Sequence, residues 1–93
     1  DTPSITDIRN GNSRQLILHV EPVENARGYN VRYALIGANG LPGPYIGPVY
    51  FKSTRRMVIE DLTPGGTYVF EVCALGGSTG QSGWSNPVSR MSL

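Results

Sequence analysis

The sequence predicts an all-β fold, a two-layer antiparallel sandwich of seven strands, on three observations. Apolar and polar residues alternate with a period of two, as in Leu16-Ile17-Leu18-His19-Val20 and Tyr29-Asn30-Val31-Arg32-Tyr33. Twelve Gly and seven Pro punctuate these short runs, which is the spacing of a sandwich or barrel. No window of roughly eleven residues carries a helical i, i+3, i+4, i+7 apolar pattern free of Gly or Pro.

The strands follow in order. Pro3 introduces a first one holding Ile5 and Ile8. Leu16, Leu18 and Val20 alternate with Ile17 and His19 in the second, which Pro22 ends. Tyr29, Val31 and Tyr33 alternate with Asn30, Arg32 and Ala34 in the third. A Gly- and Pro-rich loop from Gly37 to Pro48 comes next, then short strands at Val49–Lys52 and Arg56–Glu60. A strong strand spans Tyr68–Leu75, and the last lies around Pro87–Met91. The period of two sends Leu16, Leu18, Val20, Tyr29, Val31, Tyr33, Met57, Ile59, Leu62, Tyr68, Phe70, Val72 and Ala74 inward. Asn30, Arg32, Glu60, Glu71 and Cys73 are expected to face out.

The run Leu62-Thr63-Pro64-Gly65-Gly66-Thr67-Tyr68-Val69-Phe70-Glu71-Val72 is the most specific signal. Pro64 and two glycines turn the chain between sheets, Leu62 plugs the sandwich end, and a buried Tyr68 ring needs one partner for its hydroxyl. This run resembles the tyrosine corner linking the fifth and sixth strands of fibronectin type III modules. Gly28-Tyr29-Asn30-Val31-Arg32-Tyr33 is similar to the family's third strand. Gly83-Trp84-Ser85-Asn86-Pro87-Val88-Ser89 resembles the last-strand opening of bacterial-type modules and, more distantly, the Trp-Ser signature of cytokine-receptor modules. With Pro22-Val23 and Ala26-Arg27, the likeness covers essentially the whole chain. It implies an immunoglobulin-like sandwich of fibronectin type III topology, with Leu62, Pro64, Gly65 and Tyr68 as its structural motif. It also implies a non-catalytic spacer or protein-interaction module, set outside the cell or in the cell envelope.

The chain departs from the family in two places. Val20 stands where the family's second strand usually carries a core Trp, a space that Tyr33, Tyr50, Phe51 or Met57 must help to fill. The glycine-rich stretch Gly76–Gly83 lacks Arg-Gly-Asp, so the integrin binding of some members does not carry over.

Composition bounds the rest. Ninety-three residues make a single domain, 1–93, and a first residue of Asp rather than Met suggests a segment of a longer protein. A chain this size buries only about 60–65% of its unfolded surface, so its large apolar residues are needed for one core. Eight Lys and Arg against seven Asp and Glu build no field for nucleic acid, and Lys52, Arg55 and Arg56 read as a solvated edge. No apolar run approaches the ~20 residues of a membrane span, and no membrane insertion is expected.

No residue set promises chemistry. His19, the one histidine, faces out beside Glu21 without a nucleophile. The one cysteine, Cys73, reads as a partly covered thiol and can form neither an internal disulfide nor, with His19, a zinc site. Glu60 and Asp61 are adjacent on a strand and point to opposite faces. The glycines do not follow phosphate-loop spacing. The chain is therefore read as no enzyme, with no cofactor and no metal.

Binding would fall on the end loops. The candidate partner contacts are Leu41, Tyr45 and Ile46 in the proline-stiffened Gly37–Pro48 loop, and Trp84. Tyr45 and Ile46 could instead fold back to cap the sandwich edge, and Trp84 could pack on the guanidinium of Arg32 or Arg90. The partner would be another protein or an adjacent domain of the parent chain. Carbohydrate stacking on Trp84, Tyr45 and Tyr50 is the alternative.

Overall fold

The computed structural model describes residues 3–24, 26–76 and 82–92. Seven strands run in chain order: β1 Ile5–Asn10, β2 Leu16–Val20, β3 Ala26–Leu35, β4 Ile46–Phe51, β5 Met57–Ile59, β6 Thr67–Gly76 and β7 Val88–Met91. They form two antiparallel sheets, one ordered β1-β2-β5 and the other β4-β3-β6-β7. This is the fibronectin type III sandwich.

The core lies between the sheets, because the inward residues of every strand meet there. Leu16, Leu18, Val31, Met57, Phe70 and Val72 are sealed from solvent, with Ile8, Val20, Tyr29, Ile59, Leu62, Tyr68 and Ala74 nearly so. Each of the Leu, Ile, Val, Met and Phe side chains among them stabilises the fold by about 1.5–3 kcal/mol relative to leaving it exposed. Tyr33 is only partly buried and rests against this cluster. Its ring meets Tyr68 edge-on at 6.2 Å and Phe70 at 5.8 Å. Ile17 faces away from the core as expected and is nevertheless buried.

Val20 is buried in a core that contains no tryptophan. Met57 is fully buried opposite Leu18, and Phe51 and Tyr33 pack against the same cluster. Tyr50 takes no part. It is exposed, and its ring crowds the place where a side chain on Gly28 would stand. The reason is parity, since Tyr50 pairs with the outward Asn30 while Phe51 pairs with the inward Tyr29.

Two other expectations need correction. The loop after β3 is shorter than Gly37–Pro48, because Ile46 opens β4 opposite Tyr33. Between the pairs Val31–Val49 and Tyr33–Ile46 the β4 strand carries one extra residue, a bulge. Gly47 serves it with φ 106°, where a Cβ would stand 3.0 Å from the Val31 carbonyl oxygen. Cys73, expected outward and partly covered, is completely buried. A stretch remote in sequence runs alongside it: Ser82 and Ser85 bond to Ala74 and Val72, the residues on either side of Cys73.

Seven strands, each antiparallel to its sheet neighbours, bring the start of β1 and the end of β7 to opposite ends of the sandwich. Ser4 lies at one pole, where its carbonyl accepts the Glu21 N–H at 2.9 Å. Ser92 lies at the other, exchanging backbone bonds of 2.8 Å with Gly65 and Gly66. The body measures 40 × 26 × 18 Å.

Candidate interaction surface

The corner at Leu62–Tyr68 does what its residue types require. The Thr63 N–H donates to the Tyr68 hydroxyl at 2.8 Å, so a phenol whose ring is buried keeps its polar tip satisfied. Leu62 is buried, Pro64 and Gly65 are exposed, and Gly65 turns the chain at φ 80°. A second device of the same kind was not anticipated: the Val23 N–H donates to the Tyr29 hydroxyl at 2.8 Å. Its only sequence signal is a Pro-Val pair six residues before a strand tyrosine.

Aromatic and charged side chains converge on the outer face of the four-stranded sheet. Arg32 of β3 stands opposite Glu71 of β6. Its Nε and Nη2 both donate to Glu71 Oε1, at 2.7 and 2.6 Å. The guanidinium plane is covered by two rings, with Cζ 4.2 Å from the Trp84 centroid and 4.6 Å from that of Tyr45. A cation against π faces on a half-desolvated sheet gains more than it would in open water. Of the two arginines considered for Trp84, Arg32 is the one it meets; Arg90 Nε reaches Asn10 Oδ1 at 3.3 Å instead.

Two serines hold Trp84 in place. Ser85 donates its N–H to the Val72 carbonyl at 2.8 Å and accepts the Val72 N–H on its Oγ at 3.0 Å. Ser82 repeats the pattern with Ala74, at 2.9 Å each way. Side chains thus complete a strand ladder that β7 continues from Val88. The Ser-x-x-Ser spacing around Trp84 is the signal that could have pointed to it.

The candidate contacts therefore separate. Tyr45 and Trp84 come together on Arg32, whereas that stack contains neither Leu41 nor Ile46. Leu41 is 64% exposed at the pole shared with Ser92, and Ile46 is half exposed at the start of β4. Tyr50 lies apart, its hydroxyl 3.5 Å from the Arg27 carbonyl oxygen. Residues 77–81 of the glycine-rich stretch lie outside the described residues. Lys52, Arg55 and Arg56 are exposed around the β4–β5 turn.

Tyr33 and Asp7 are displaced from their ordinary ranges. Burial, helped by Tyr68 and Asp61, raises the Tyr33 phenol above its ordinary range. The hydrogen bond from Arg9, at 2.6 Å, lowers the half-exposed Asp7 carboxyl. His19 is half-buried, and its carbonyl oxygen accepts from Thr6 Oγ1 at 3.1 Å. Among the described residues, no group of three or more His, Cys, Asp or Glu is placed to hold a metal ion.

Comparison with known proteins agrees with this architecture. The family model described as the fibronectin type III domain matches residues 1–91, and the chain belongs to that family. The fn3 domain of human collagen alpha-1(XX) chain superposes with a TM-score of 0.78 at 21% identity, over 100% of this chain and 85% of that one. An Fn3-like protein from Clostridium thermocellum gives 0.75 at 16% identity, over 96% and 88%. The FN5 domain of Drosophila Lar gives 0.74 at 19%, over 97% and 92%. Such likeness, spread over animal and bacterial proteins, gives the fold and no particular source. No curated protein sequence matches the chain. Domains of this family are commonly structural or interaction modules and are generally non-catalytic.

Proposed function

We propose that this chain is a spacer module that holds neighbouring parts of a longer protein apart, with the Gly37–Tyr45 loop as its secondary contact point. One observation carries the reading: Ser4 and Ser92 lie at opposite ends of the strands, in a body whose longest extent is 40 Å. Copies or neighbours joined through such poles extend in line instead of folding back. The exposed aromatic surface adds support, since Tyr45 and Trp84 each give a face to Arg32 and present less to a partner. Two of its structural neighbours are, by name, domains of longer proteins, a collagen chain and Lar. Like them, this module is expected to act within a parent chain outside the cell or in its envelope.

A contact role falls to the loop tip, where Leu41 is exposed and prolines on both sides of Gly43 limit the entropy lost on binding. Carbohydrate stacking is the weaker reading, because Tyr50 stands apart from the two rings already engaged. The test is small-angle scattering of two copies joined head to tail. The spacer reading expects the maximum dimension to grow by close to one 40 Å long axis; a particle little longer than a single copy would overturn it.

A further inference from the structure

The sequence contains two Asn-Gly pairs, Asn10-Gly11 and Asn39-Gly40, and the fold places them in opposite environments. Asn-Gly is the dipeptide most open to intramolecular attack on the side-chain amide, because glycine puts no Cβ beside the attacking nitrogen and rotates freely. At Asn10 that freedom is withdrawn. Asn10 pairs with Leu16 at the end of β1 and its Oδ1 accepts from Arg90. A Cβ on Gly11 would run into Gln15 Oε1, so the space over that peptide is filled.

At Asn39 it is kept. The residue is exposed in the β3–β4 loop, and its Oδ1 accepts the Leu41 N–H at 3.1 Å, which folds the side chain forward along the Gly40 peptide. Gly40 has φ 79°, and no heavy atom lies within 4 Å of where its Cβ would be. The Gly40 N–H is held only by a turn bond of 2.9 Å to the Gly37 carbonyl. Exposed turn bonds of this kind open at little free-energy cost.

We propose that Asn39 is a site of spontaneous deamidation and isoaspartate formation, and that the fold protects Asn10 from the same reaction. The Gly40 nitrogen attacks Asn39 Cγ, the C–N bond of the side-chain amide breaks, and ammonia leaves carrying the proton lost by the Gly40 nitrogen. Water then opens the five-membered imide at one carbonyl or the other, giving aspartate or isoaspartate. The product adds a negative charge beside Leu41 and, as isoaspartate, one extra carbon to the backbone of the turn. Formal net charge, +1 in the parent chain, falls by one at each converted molecule.

The test is peptide mapping by mass spectrometry, with isoaspartyl-specific methylation, of the folded chain aged at mildly alkaline pH and of the same chain aged in concentrated urea. In the folded chain Asn39 should convert on the order of tenfold faster than Asn10, the factor expected if freeing Asn10 costs about 1.4 kcal/mol of local opening. In urea the two rates should converge. Equal rates in the folded chain, or faster loss at Asn10, would overturn the proposal. So would a difference that persists unchanged in urea, since the fold would then not be its cause.

Discussion

The guanidinium of Arg32 lies 4.2 Å from the ring centroid of Trp84, on the outer face of the sheet, while Glu71 fixes it from the neighbouring strand. The arginine is thus held by charge at its edge and by π electrons on its face. Trp84→Ala is expected to lower stability by about 1–3 kcal/mol through lost burial and the lost cation–π contact. A double-mutant cycle with Arg32→Ala, read from urea unfolding, should give a coupling of about 0.5–2 kcal/mol. Simple additivity would mean the two side chains touch without stabilising each other.

Tyr68→Phe keeps the buried ring and removes only the acceptor of the Thr63 N–H. The expected loss is about 0.5–2 kcal/mol, with the dependence on urea unchanged because the same surface is exposed on unfolding. Tyr29→Phe should cost a similar amount through the Val23 N–H. An unshifted urea midpoint in both would mean that water replaces the phenol at no cost.

Ser85 is buried and its Oγ accepts from the Val72 N–H inside the sheet. Ser85→Ala leaves that N–H unpaired, a loss of about 1–3 kcal/mol. Ser85→Thr preserves the acceptor and should be milder. Amide hydrogen exchange at Val72 reads the local effect directly, and it should quicken in the alanine variant.

Stability should also fall at high pH. The folded state raises the Tyr33 phenol above the ordinary value near 10, so the folded chain holds that proton more tightly than the unfolded chain does. The contribution is full below about pH 10 and is lost as pH rises through the folded value. Tyr33→Phe should flatten the alkaline slope measured by urea midpoints across pH. Asp7 acts in the opposite range, its lowered carboxyl favouring the fold above about pH 4 and losing that effect in acid. The pair is open to solvent, with Asp7 half-exposed and Arg9 exposed, which keeps the effect small and sensitive to salt.

Most of the sandwich was legible because its signals are local. The bounds of β2, the inward set and the Leu62–Tyr68 corner follow from a period of two and from turn chemistry within a few residues. The misreadings arise where one residue or one remote segment changes the answer. The extra residue around Gly47 resets the parity of β4 and turns Tyr45 toward Arg32, which no alternation pattern announces. Cys73 reads as outward by parity, correctly as to side, yet Ser82 and Ser85 fasten a distant stretch alongside it. For the same reason only part of the Tyr45–Arg32–Trp84 stack was visible: family likeness suggested that Trp84 meets Arg32 or Arg90, and the bulge supplied Tyr45.

The claim on which the account rests is that Trp84 belongs to the structure of this face and is not a free platform for a partner. Trp84 is the one tryptophan, so its fluorescence reports this without a label. The direct measurement is its emission maximum and its quenching by iodide in the folded chain, before and after Arg32→Ala. The account predicts a partly shielded emission in the parent chain, and a red shift with stronger quenching in the variant while the fold persists by far-ultraviolet circular dichroism. A parent emission already like that of free tryptophan, and unmoved by Arg32→Ala, would contradict it.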